Sequence, residues 1–243
     1  MKKKLDISTI EENTKDVLTS FVKGAFWAIP VVGPFAAEVF GTIIPMQRID
    51  RMKIFLIEFE RQFEKHGLKI ELLEEKMKND DFINLFDEVG WQAGKSTSKE
   101  RKEYLASILI NGLTTDKLDE IQKNIFLNLM SELNDIEILI LYNHTMKSRT
   151  DKNFQNEHSD NLIEPLAYMG ASQEEQDNNT LFKTYKEKLV RLNLLNKKFV
   201  KPKKNEFPEF DEKTGMMKSK SFDITPLGRL FLKYIGLLEN DDI

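Results

Sequence analysis

The sequence predicts a mainly α-helical protein with a small β element near its C-terminal end. Three observations predict it. Apolar residues recur every three or four positions over most of the 243 residues, the spacing that gathers them on one helix face. Residues that start and stop helices stand at the ends of those stripes. A short strand pattern, Ser221-Phe222-Asp223-Ile224, stands apart from them near the end.

Composition narrows the function classes. Hydrophobic residues are 40% and charged ones 31%, which suits a globular protein of one or two domains. The formal net charge is -4, so attraction to nucleic acid requires a local basic region. There is no cysteine. That removes disulfides, thiolate metal sites and cysteine nucleophiles, and it fits a reducing cytoplasm. The MKKK start is followed by a polar stretch from Asp6 to Ser20, so a signal peptide is not expected.

The elements follow in order. Leu5 to Val22 carries a loose helical stripe. From Phe35 to His66 the pattern is helical, with a break expected at Pro45 and a stop at Gly67. Ile49, Met52, Phe55, Leu56, Phe59 and Phe63 make its apolar face. A helix is expected from about Asn79 to Trp91, with the stretch Gly90 to Thr97 read as a helix C-cap followed by an N-cap. Thr97-Ser98-Lys99-Glu100 reads as a capping box opening the next helix, which Gly112 ends. Another helix begins at Asp116, and Asn134 or Asp135 caps the one after it. Lys147 to Asp160 reads as a polar connection, and Thr180 to Asn196 as a helix. Thr225-Pro226 caps a last helix. The expected division is 1–67, an N-terminal helical region; 68–133, a central bundle; and 134–243, a C-terminal domain.

The stretch from Gly24 to Gln47 carries a single charge, Glu38. As one helix it would span roughly 36 Å, enough for a bilayer core. Pro30, Pro34, Pro45, Gly33 and Glu38 argue against a simple spanning helix. The expectation is an apolar hairpin turning near Pro30–Pro34, serving as a core element or as a conditional membrane contact. Its candidate membrane or interface residues are Phe26, Trp27, Ile29, Val31, Val32, Phe35, Phe40, Ile43 and Ile44.

The order from Asn134 onward is more specific. It runs through helices to LVRLNLLNKK, a basic hairpin, and SFDITPLGRLFLKYI. This resembles a winged helix-turn-helix, in which the third helix leads into a strand, two strands make the wing, and a further helix packs behind. From Leu181 to Lys220 there are twelve basic residues against five acidic ones, the local excess that phosphate contact requires. Lys183, Lys186, Arg191, Lys197, Lys198, Lys201, Lys203 and Lys204 are the candidate nucleic-acid contacts. Lys183, Thr184 and Asn193 are the only side chains suited to reading bases. Winged helices also serve as protein-docking modules, and that use stays open.

Other chemistry is not expected. Gly90-Trp91-Gln92-Ala93-Gly94-Lys95-Ser96-Thr97 has three residues between its glycines where a P-loop needs four. His66, His144 and His158 lack metal-ligand spacing. Ser107 and Ser131 lack a nucleophile elbow. No catalytic residue, cofactor or metal is therefore assigned, and an enzyme is not expected.

The whole layout resembles the Abi-alpha family of bacterial abortive-infection proteins. The resemblance is carried by the Gly/Pro-containing apolar segment, QRIDRMKIFLIEFERQFEK, DDFINLFDEVGWQA, SKERKEYLASILINGL, IFLNLMSELNDIEILIL, and the terminal LVRLNLL and FDITPLGRLFLKYI. It covers most of residues 20–238 and departs at the long 147–160 connection and the long basic wing. It implies anti-phage defence by a non-enzymatic effector or adaptor, and it carries over no site residues. Candidate partners are a protein or phage trigger, a membrane, DNA and a second copy of the chain. The expected location is the cytoplasm, with association at the inner face of the membrane left open. The alternative is a winged-helix DNA-binding transcriptional regulator.

Overall fold

The computed structural model describes residues 46–114, 120–165, 168, 170–200, 202, 207–210, 215 and 217–239. The expected apolar hairpin, with Phe26, Trp27, Ile29, Val31, Val32, Phe35, Phe40, Ile43 and Ile44, lies outside them, as do Lys201, Lys203 and Lys204. The described residues form eleven helices and one two-stranded antiparallel sheet. The chain divides into two units, Met1–Leu127 and Asn128–Ile243.

In the first unit, α1 (Met46–Lys65), α3 (Asp80–Lys95) and α4 (Lys99–Thr114) pack against one another, with the short α2 (Ile70–Lys76) beside α4. The apolar face read from the sequence makes this core: Met52, Phe55, Leu56, Phe59 and Phe63 of α1 are buried. Phe59 sets its ring edge-on to Phe63 and Phe86, with centroids 6.2 and 5.9 Å away. Such pairs add about 1 kcal/mol each beyond their burial. Gly67 takes φ +61°. This lets its N–H reach Glu64 O and the Leu68 N–H reach Phe63 O, closing the last turn of α1.

Three expected boundaries in this unit are corrected. The helix expected to stop near Trp91 continues through Gly94 to Lys95, and Gly112, expected to end the next helix, lies inside it. A methyl group on Gly112 would stand 2.6 Å from Leu85 Cδ2, and one on Gly94 would stand 3.4 Å from Met52 Sδ. These glycines let helices approach closely, and packing outweighs their poor helix propensity. The N-cap of α4 is one residue later than expected: Arg101 N–H donates to Ser98 Oγ at 3.1 Å.

The second unit begins within α5 (Glu120–Glu132) and continues through α6 (Asp135–Asn143). Asn134, one of the two caps the sequence offers, caps α6 and forms a capping box with Glu137. The 147–160 stretch is not an irregular connection. It forms α7 (Met146–Thr150), α8 (Lys152–Glu157) and α9 (Ser159–Leu162). Thr145 and Asp151 cap the first two through their side chains. Phe154 anchors the stretch by setting its ring edge-on to Tyr142, 4.8 Å away.

Helix α10 (Gln173–Arg191) starts seven residues before its expected start, at a Ser172–Glu175 capping box. It also stops earlier than expected. Asn193 takes φ +57°, so the Leu194 N–H bonds back to Leu189 O and the chain turns out of the helix. Leu195, expected on the helix, instead opens β1 (Leu195–Phe199), which pairs with β2 (Ser219–Ile224) in the register Leu195↔Ile224. An isolated bridge, Phe210↔Met217, continues the antiparallel pairing beyond the strands.

Helix α11 (Pro226–Tyr234) closes the unit, with Pro226 in its first turn and Thr225 as its cap. The Thr225 hydroxyl accepts the Gly228 N–H and donates to Asn193 O at 2.7 Å, while the Thr225 N–H donates to Leu194 O at 3.0 Å. One residue thus joins the cap of α11 to the turn between α10 and β1. Leu141, Leu189, Leu194, Leu195, Phe231 and Leu232 are fully buried in this unit.

Candidate functional site

The second unit carries a groove of about 1230 Å³. One wall is α10, which supplies Lys183, Lys186 and Glu187. The strand pair makes the other, with Lys197, Phe199, Met217 and the run from Lys218 to Phe222. His144, Arg149 and Glu164 complete it. Six cationic side chains and two carboxylates therefore face one space.

Of the nucleic-acid contacts proposed from sequence, Lys183, Lys186 and Lys197 line the groove. Arg191 is exposed at the end of α10, and Lys198 forms an ion pair with Asp223; neither lines the groove. Asn193, read as a base-reading side chain, is the turn residue that ends α10, and Thr184 Oγ1 donates to Thr180 O. Sequence reasoning missed His144, Arg149 and Phe199. Arg149 comes from the segment read as connection, His144 stands just before it at the end of α6, and Phe199 sits in a lysine-rich stretch with no visible period.

The basic residues are less free than their count implies. Lys186 pairs with Glu164 at 2.8 Å, Lys197 with Glu187 at 2.5 Å, and Lys218 with Glu209 at 3.3 Å. Lys188 pairs with the buried Glu137 at 2.8 Å. Lys186 also sits over the rings of Phe182 and Phe222, 4.6 and 5.4 Å from their centroids. Among the described residues, Lys183, Lys220 and Arg149 have no carboxylate partner. They are the groove cations open to an incoming anion.

His144 also lines the groove. Its ring stacks on Phe222, with centroids 6.3 Å apart and planes 10° apart. Its buried Nε2 has no hydrogen-bond partner among the described residues. Burial, then the charges of Lys186 and Arg149, lower its pKa to about 4; Asp223 opposes them weakly. Between pH 6.5 and 4 the unfolded chain holds a proton on this residue that the folded chain refuses, so stability falls as the solution is acidified through that window. His144→Phe is expected to remove about 2 kcal/mol of that loss. Denaturant melts of both proteins at neutral pH and near pH 4 measure it, and identical acid losses would contradict it.

Two surface features bear on what the groove accepts. The start of α10 is acidic and exposed at Glu174, Glu175 and Asp177. The strand pair and the chain between its strands expose large apolar side chains: Phe199 is 46% exposed, Phe210 58% and Phe207 93%. Among the described residues, no group of three or more acidic or histidine side chains could hold a metal ion, and no helix is long and apolar enough to cross a membrane. No family model, curated protein or solved structure matches the chain.

Proposed function

We propose that the chain is a non-enzymatic anti-phage protein of abortive-infection type, an effector or adaptor, whose C-terminal unit is a winged-helix recognition module. The observation that carries the module is the run α10–β1–β2–α11. A helix turns directly into an antiparallel strand pair at Asn193, and the following helix is tied back to that turn through Thr225. The order is the one that a winged helix requires, and the cationic groove between α10 and the strands is its recognition surface. The assignment to defence rests on the resemblance of the whole layout to Abi-alpha proteins. In this reading the apolar 24–47 segment is the effector element and contacts membrane only after a trigger.

Phage plating on cells expressing the full chain tests the proposal. Wild type is expected to protect, and deletion of residues 24–47 or the double change Lys183→Glu with Lys220→Glu is expected to abolish protection. Protection unchanged by both would overturn it.

A second reading, a duplex-DNA-binding regulator, is favoured by the six groove cations. The acidic start of α10 counts against it. In helix-turn-helix docking the N-terminal residues of the recognition helix meet the major groove, and Glu174, Glu175 and Asp177 would there face phosphates.

A further inference from the structure

The geometry points to single-stranded nucleic acid as the occupant of the groove, with phosphates along Lys183, Lys220 and Arg149 and a base stacked on Phe199. This rests on the reading of the C-terminal unit as a recognition module and names what it recognises.

The sign of the charge selects an anion. The size of the space, about 1230 Å³, is far more than one phosphate fills, so a polymer suits it better than a free ion. The apolar wall then selects among polyanions. Phe199 lines the groove while 46% exposed, and Phe210 continues the exposed apolar surface where it bridges to Met217. A duplex keeps its bases stacked inside and offers such rings nothing to hold. A single strand presents base faces, and a cationic channel with exposed aromatic rings is the combination that binds it without regard to sequence. The acidic start of α10 adds the complementary argument. It would repel a duplex laid across the helix end, whereas a strand running between α10 and β2 does not need to pass it.

The test is fluorescence anisotropy of the full-length chain with labelled oligo(dT) of about 12 nucleotides in about 50 mM salt. A hairpin duplex with as many phosphates and polyglutamate of matched charge serve as competitors. The single strand is expected to bind, and each competitor is expected to be at least about tenfold weaker. Lys183→Glu with Lys220→Glu is expected to cost more than tenfold. Phe199→Ala and Phe199→Leu are each expected to cost about tenfold, because leucine keeps the apolar contact but not the ring. Lys152→Glu, exposed on α8 and not among the residues that line the groove, should cost far less than the double change. Far-UV circular dichroism and melts of each variant establish that it is folded.

Equal competition by the duplex hands the site to duplex DNA and overturns the proposal. Equal competition by polyglutamate shows that only charge is read, and overturns it too. So does an absence of binding, or Phe199→Leu binding like wild type. Phage plating separates this inference from the one beneath it. A chain that protects cells but binds no single strand refutes only the ligand; one that binds but never protects refutes only the defence role.

Discussion

Lys188→Met is expected to destabilise the C-terminal unit by about 3 kcal/mol. The cause lies in its partner. The Glu137 side chain is only 2% exposed, and its Oε2 takes two bonds, one from Lys188 Nζ and one from the Asn134 N–H, both at 2.8 Å. Lys188 Nζ also donates to Glu132 O at 2.6 Å. Removing the ammonium leaves a desolvated carboxylate held by a backbone N–H, and an uncompensated buried charge costs much more than an exposed pair ever gains. The figure is the lower end of the usual range because Lys188 itself keeps some contact with solvent. Chemical denaturation of the full chain measures the loss. Adding Glu137→Gln to the lysine change should restore about half of it, since the amide oxygen still accepts the Asn134 N–H and the charge is gone. A Lys188→Met protein within about 0.5 kcal/mol of wild type, or a double variant less stable than the single, would show that the pair is not the support described.

Gly228→Ala is expected to cost about 3 kcal/mol as well, through crowding rather than charge. The added methyl would overlap the Leu194 carbonyl oxygen and stand 2.9 Å from Ile224 Cγ1 and 3.3 Å from Leu141 Cδ1. The first of these is backbone, and it is the carbonyl to which the Thr225 N–H donates. To make room, α11 must move away from the turn that Thr225 ties to it. Gly112→Ala is the comparison. Its nearest neighbour is the end of the Leu85 side chain, which can swing aside, so a cost of about 1 kcal/mol is expected there. Thermal melts of the two variants rank them, and a Gly112→Ala protein less stable than Gly228→Ala would reverse the argument.

These examples show what was legible in the sequence and why. Helix-capping residues speak locally, so Asn134, Gly67 and Thr225-Pro226 could be read where they stand. The apolar stripe of α1 could be read for the same reason, since a period of three and four needs no knowledge of partners. Glycine misleads, because its two uses look alike in sequence: Gly67 supplies a positive φ, whereas Gly112 supplies space for Leu85 on another helix. Asn193 was misread for a similar reason. Its left-handed turn ends α10, but in sequence it continues the leucine spacing into Leu195. The groove was half legible. The lysine excess located it, yet Glu164, which neutralises Lys186, and His144, which lines the same groove, come from segments outside that stretch. Charge counts add along the sequence; electrostatic pairing is settled only in three dimensions.

The Thr225 junction has a consequence for affinity. The turn at Asn193, the first pair of the strand register and the cap of α11 share one set of hydrogen bonds. At the end nearest that turn, the helix wall and the strand wall are therefore held at a set spacing before anything enters. A ligand seated there does not have to spend its contacts on ordering the backbone that holds it; the conformational entropy was already surrendered when the chain folded. Substitutions at this junction should accordingly act on binding by loosening an empty site, without removing any group that a ligand touches.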